Sequence, residues 1–203
     1  MVAQAFLFII CTAAWLFVLR VLKNADLHFW HFLVGAVGLF VLGMIFVRPW
    51  ATMPLAQTVN ALAGIVGNIT GTFTSYFRYA VLFVPTDGSS ITLQVDMECS
   101  GIIEIMAFIS LLAFFDVYKR PEKIMVGIIG VAVIMLANVL RIILICEIVH
   151  FFGTGAFSVA HTYIGRIFFY VITVLLYFYV FTKPQVVSMK VGGFLYGDSS
   201  KSA

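Results

Sequence analysis

Three side chains in this sequence have the chemistry for acyl transfer, and each stands beside an apolar run. Cys99 lies in Glu98-Cys99-Ser100-Gly101, Arg141 in Ala137-Asn138-Val139-Leu140-Arg141-Ile142, and His161 in Ala160-His161-Thr162-Tyr163. A thiolate is the strongest nucleophile of the three, yet an ordinary thiol is only about a few per cent ionised near neutrality. An imidazole beside it raises that fraction by pairing as imidazolium, and can then protonate a leaving amine. A guanidinium stays charged at any working pH and can hold a carbonyl oxygen as it becomes an oxyanion, or orient a substrate carboxylate. Gly101 leaves room beside the sulfur for a substrate backbone, and Asn138 shares a helix face with Arg141 and can orient its guanidinium. The candidate catalytic set is therefore Cys99, Arg141 and His161, with Asn138, Gly101 and Ser100 in support.

The elements that must position these groups are membrane helices. The chain has 203 residues, 63% hydrophobic and 10% charged, with a mean hydropathy of +1.10. No soluble domain needs so much apolar surface, so the fold class is an all-α polytopic membrane protein. About 20 apolar residues match a hydrocarbon layer of about 30 Å. Five windows qualify: 2–22, 28–47, 101–118, 124–149 and 163–182. The first begins uncharged and ends basic, the reverse of a cleavable signal peptide, and is read as an uncleaved helix. Arg48-Pro49 and Lys183-Pro184 close the second and the last, because proline cannot continue the hydrogen-bond ladder. The organisation expected is two N-terminal spans (1–48), an extracytoplasmic segment (49–98), a three-helix catalytic core (99–183) and a cytoplasmic tail (184–203).

Charge sets the orientation. Arg20 with Lys23, Lys119 with Arg120 and Lys123, and Lys183 with Lys190 all fall on one side if 50–99 does not cross, which puts the N-terminus outside and the C-terminus in the cytoplasm. Gly64, Gly67, Asn68, Gly71 and several threonines interrupt 55–84, and predict an interfacial helix pair or re-entrant segment there. Pro85-Thr86-Asp87-Gly88 then signals a turn, and Ile91, Leu93, Val95 and Met97 alternate with polar residues as one arm of a short β-hairpin. Arg141 lies about 25 Å along a helix that starts at Ile124, close to the outer boundary, where Cys99 and His161 also stand. Singly, each residue has an ordinary use: a small hydrophobe, a snorkelling cation, an interfacial imidazole. Their coincidence at one depth carries the case.

Those same residues bear a resemblance. Cys99-Ser100-Gly101-Ile102 after a short strand, Ala137-Asn138-Val139-Leu140-Arg141-Ile142 in the next helix and His161 opening the following one resemble the exosortase/archaeosortase family, in a short form, over residues 93–169. The resemblance implies a multi-pass enzyme of the plasma membrane. Such an enzyme processes proteins with C-terminal sorting signals by sortase-like cysteine transpeptidation, severing the signal and passing the acyl group to an acceptor. It implies Cys99 as nucleophile with Arg141 and His161 as partners. Neither metal nor organic cofactor is expected, and the partners are the bilayer and a membrane-anchored protein substrate, not nucleic acid. Two other classes fit the residues. One is a non-enzymatic small transporter or assembly partner of an envelope-polysaccharide or secretion system, in which the polar groups line a path or a helix contact; the other is a glycan or lipid acyltransferase.

The remaining polar residues have plainer readings. Glu98 pairs with Arg141 or faces water, Glu147 and His150 crown their helix in water, and Arg166 adds a second positive charge near the site. His28 and His31 anchor at the opposite surface, and Cys11 and Cys146 are inert within apolar helices.

Overall fold

The apolar windows become helices that alternate in direction. The structure, a computed structural model, describes residues 2–86, 89–95 and 99–186. Helices α1 (Val2–Asn24) and α2 (His28–Phe46) form an N-terminal hairpin. Asp26 turns the chain in the left-handed region, φ 52°, and the His28 Nδ1–H donates to its carbonyl at 2.9 Å. The Trp15 indole N–H donates to the Val34 carbonyl at 3.0 Å and ties the pair together, as an indole in apolar surroundings requires. Helix α4 (Ile102–Phe114) lies antiparallel to α2, with Phe114 over Gly35 and Met106 over Gly43. Small residues at these crossings let the helices approach where lipid supplies no hydrophobic drive for association. Helix α5 (Arg120–Phe152) runs back along α4, and α6 (Thr154–Val186) returns along α5.

Among the described residues, α2, α5 and α6 are long and apolar enough to cross a membrane. The expected span 101–118 is shorter in fact. α4 has 13 residues, about 20 Å against about 30 Å of hydrocarbon. At Phe115 the backbone turns extended. The rings of Phe115 and Tyr118 then pack on one another, Phe115 meets Phe181 at 5.1 Å, and the Tyr118 hydroxyl donates to the Val180 carbonyl at 2.7 Å. Unwinding there also leaves Asp116 outside the helix, 3.7 Å from Lys123. α5 starts before the expected Ile124, because Pro121 suits its first turn and the Glu122 carboxylate accepts the Lys119 backbone N–H at 3.0 Å.

The segment expected as a helix pair or re-entrant loop is one helix, α3 (Arg48–Thr70), followed by a three-stranded sheet. Its small residues do not break it. Ala56, Val59, Asn60, Ala63, Gly64 and Gly67 are buried along one face, the spacing of a single helical stripe. Thr52 and Thr58 hydroxyls donate back to the carbonyls of Arg48 and Pro54, both at 2.8 Å. Gly64 and Gly67 lie under Ser75 and Phe73, so the glycines admit the sheet rather than ending the helix. The helix stops at Gly71, φ 72°, whose N–H caps the Gly67 carbonyl at 2.8 Å.

Strands β1 (Thr74–Tyr76), β2 (Val81–Thr86) and β3 (Ser89–Gln94) are antiparallel in that order. The expected hairpin is β2–β3, with Leu82 opposite Leu93 and Val84 opposite Ile91; β1 is an additional strand. Asp87, Gly88, Met97 and Glu98, named in the sequence readings, lie outside the described residues, as does Lys190. Leu82, Val84 and Val95 pack with Val59 and Ala63 of α3 and with Ile142, Cys146 and Val149 of α5 in one buried cluster.

This close seating is testable. A Cβ at Gly67 would meet the Phe73 carbonyl at 2.5 Å and its ring at 2.6 Å, whereas one at Gly155 meets nothing within 4 Å. Gly67→Ala should cost roughly 1–3 kcal/mol by overpacking, seen as a lowered unfolding temperature in detergent, and Gly155→Ala should leave it unchanged. Equal melting of the two variants would contradict the seating of the sheet on α3.

Candidate active site

The turn that starts α4 presents the thiol. Gly101 sits at φ 76°, ψ 9°, a left-handed conformation that side chains disfavour, and a Cβ there would press on the Asn138 amide at 3.3 Å. Its glycine is thus required by the backbone itself, where room for a substrate was the expectation. Ser100 is fully buried and its hydroxyl accepts the Ile102 N–H at 3.4 Å. Asn138, in the middle of α5, donates its amide to the Cys99 carbonyl. It was expected to orient Arg141; it holds the cysteine turn instead.

His161 comes from the start of α6. Residues Ala160–Ile164 form a π-helical turn, a local insertion that recurs at functional sites. The ring is half-buried and stacks obliquely on Phe157, centroids 5.4 Å apart. Its Nε2 lies 3.4 Å from Cys99 Sγ, within hydrogen-bonding range for sulfur. Two residues 62 positions apart in sequence are thereby brought into direct contact. A cavity of about 150 Å³ reaches this pair, bounded by residues 91–95 of β3 and its continuation, by Ile142 and Ile145 of α5, and by Phe157. Cys99 itself is only 4% exposed, so the sulfur is reached through the cavity and does not stand open at a helix end.

Arg141 does not line this cavity, where the neighbouring Ile142 and Ile145 of α5 do. It is 4% exposed, with no hydrogen-bond partner for Nε, and its Cζ sits 5.7 Å over the Phe169 ring of α6. Such a cation–π contact offsets part of the cost of burial but satisfies no N–H. Among the described residues no hydrogen bond joins it to Cys99 or His161. Among the described residues, Glu104, half-buried in the first turn of α4, is a carboxylate that feels its charge. Sequence reading passed over Glu104, although a carboxylate inside an apolar helix one turn from Cys99 was the signal. A buried guanidinium with an unpartnered N–H is suited to bind an anion.

The other polar groups serve the scaffold. Glu147 accepts the Thr72 hydroxyl at 2.7 Å and the Thr70 hydroxyl at 3.4 Å, and His150 Nδ1–H donates to the Pro85 carbonyl at 2.7 Å. Expected to be merely wet, both tie the sheet and the end of α3 to α5. Arg166 is half-buried further along α6. Cys146 is fully buried in the sheet-facing cluster, and Cys11 is exposed on α1. His31 packs on Phe114 at the far end of α2. Among the described residues no three His, Cys, Asp or Glu side chains gather into a metal-binding group. A larger apolar groove of about 710 Å³, between Phe32 of α2, Leu111 of α4 and Tyr177 of α6, is lined by no cysteine or histidine.

A family model described as Transmembrane exosortase (Exosortase_EpsH) matches residues 1–178. The match takes in the N-terminal hairpin, the sheet and the cysteine, arginine and histidine elements together. The chain belongs to the transmembrane exosortase family and is a membrane protein; at the level of the family this means a membrane transpeptidase. No curated protein and no solved structure matches the chain significantly.

The Cys99–His161 contact makes a chemical prediction that needs no substrate. In detergent-solubilised protein, iodoacetamide should alkylate Cys99 near neutral pH, and His161→Ala should slow that reaction about tenfold by removing the partner of the thiolate. Peptide mapping by mass spectrometry reads the rate, with Cys146 as an unreactive internal reference. An unchanged rate would mean that the imidazole does not activate the sulfur.

Proposed function

We propose that this protein is a membrane-embedded cysteine transpeptidase that cleaves sorting-signal-bearing protein tails and transfers them through an acyl-enzyme. The observation that carries the reading is the 3.4 Å approach of His161 Nε2 to Cys99 Sγ at a cavity. In this reading the Cys99 thiolate attacks the scissile carbonyl carbon, and the electron pair moves onto the carbonyl oxygen. The Arg141 guanidinium stabilises that oxyanion; its unpartnered Nε and burial favour the role, since donors in a water-excluded site act strongly and need no reorganisation. Collapse of the intermediate expels the amine, which takes its proton from the His161 imidazolium. The acceptor nucleophile then loses its proton to His161, attacks the thioester and releases Cys99. The substrate is a membrane-tethered protein that enters laterally. The charge distribution supports five crossings, with the N-terminus outside, the C-terminus cytoplasmic and the site at the extracytoplasmic face.

Competing readings as a transporter or assembly partner need no nucleophile, and this separates them. In cells compared at equal membrane abundance, Cys99→Ala should abolish processing of the tail and leave the uncleaved protein to accumulate, while Cys11→Ala and Cys146→Ala retain it. Arg141→Lys keeps the charge but not the planar donors, and should lose roughly a hundred- to thousand-fold in rate. Ordinary turnover by Cys99→Ala would end the covalent reading; ordinary turnover by Arg141→Lys would mean that the arginine only carries charge.

A further inference from the structure

The sheet beside the cysteine has a free edge. The order β1-β2-β3 leaves β3 paired only with β2 among the described residues. Which β3 groups face outward follows from the ladder's phase. In an antiparallel pair, opposed residues alternate between exchanging both backbone hydrogen bonds and exchanging none. The Val95 N–H donates to the Ala80 carbonyl at 2.8 Å, and counting back by two makes Leu82 with Leu93 and Val84 with Ile91 the bonded pairs. Pro85 opposite Ser90 then falls in a non-bonded pair, as a residue with no N–H must. The N–H and C=O groups of Thr92 and Gln94 consequently point away from β2, and both residues are exposed.

Unpaired edges are normally blunted by lysine, proline or a bulge. From Ser89 to Gln94 this one carries neither lysine nor proline. The cavity is lined by residues 91–95 together with Cys99 and His161, so an extended chain laid against the edge comes beside the nucleophile. At a membrane face such a chain would gain further, because its own backbone groups would be satisfied where water is scarce.

We propose that the substrate segment binds as an added β-strand on the free edge of β3, paired through the backbone of Thr92 and Gln94, which delivers its scissile carbonyl to Cys99. This rests on the reading of Cys99 as the nucleophile and adds how the substrate is held. Affinity in such strand addition comes from main-chain bonds, and side-chain preference from the pockets beside alternate residues. The substrate class is thus an unfolded, extended peptide stretch, and a helix or a compact domain must unwind locally before it can be cut.

The test uses the full-length protein in detergent and a defined probe, N-acetyl-tetra-alanyl chloromethyl ketone, whose methylene carbon bonds to Cys99 Sγ as chloride leaves and the thiol proton passes to His161. Its rate of labelling Cys99 is divided by the rate with iodoacetamide, which has no peptide backbone. Replacing the probe's amide N–H groups by N-methyl one at a time should lower this ratio about tenfold at alternate positions only. Thr92→Pro, which removes an outward N–H and no bond to β2, should lower it by a similar factor. If either change leaves the ratio unaltered, strand addition is wrong while the nucleophile stands. If iodoacetamide itself fails to label Cys99, the nucleophile reading falls and this one with it.

Discussion

One buried amide fixes the geometry on which the site depends. Asn138, in the middle of α5, donates to the carbonyl of Cys99 and so pins the turn before α4 against that long helix. Gly101 makes that turn possible by its left-handed backbone, and α6 returns along α5 so that its π-turn sets His161 against the sulfur. Three helices and one turn thus converge on a single residue, Cys99. The sheet contributes the fourth wall, held to α5 by Glu147 and His150. In a setting with little water, each of these bonds matters more than its counterpart at a soluble surface, because an unpaired donor has no solvent to turn to.

Electrostatics divides the site into two parts. Cys99 and His161 are a contact pair that can exchange a proton locally. Arg141 is a separate buried positive charge, supported by the face of Phe169 and the field of Glu104, with a buried donor left over. A guanidinium kept in so poor a solvent is costly unless something anionic visits it. In the proposed reaction, an oxyanion that forms and collapses during acyl transfer meets that description. The free edge of β3 borders the same cavity as Cys99 and His161.

Much of this was legible in the sequence, and what was not has physical causes. Depth arithmetic along apolar helices marked Cys99, Arg141 and His161 as candidates for one level, of which the structure joins Cys99 and His161, and alternating Ile91, Leu93 and Val95 announced β3. The continuity of α3 was hidden because Gly64 and Gly67 look like breakers until Phe73 and Ser75 are seen lying on them. The early end of α4 was hidden because Phe115 and Tyr118 are as apolar as the helix they leave, and only their packing on Phe181 and Val180 draws them away. β1 is three residues long, too short for any period to show. The role of Asn138 was misassigned because helix spacing tells which residues share a face, not which neighbouring loop that face meets. Glu104 went unremarked beside the more conspicuous Glu98.

The account stands on a covalent bond forming at one sulfur, and a trapped intermediate tests that most directly. Membranes from cells processing substrate would be quenched in acid, digested and mapped by mass spectrometry with and without neutral hydroxylamine. The account predicts an adduct on the Cys99 peptide that corresponds to the cleaved end of the substrate, is released by hydroxylamine as a thioester must be, and is absent from Cys99→Ala. Substrate processed at its normal rate with Cys99 unmodified throughout, or the same adduct carried on any other residue, would contradict it.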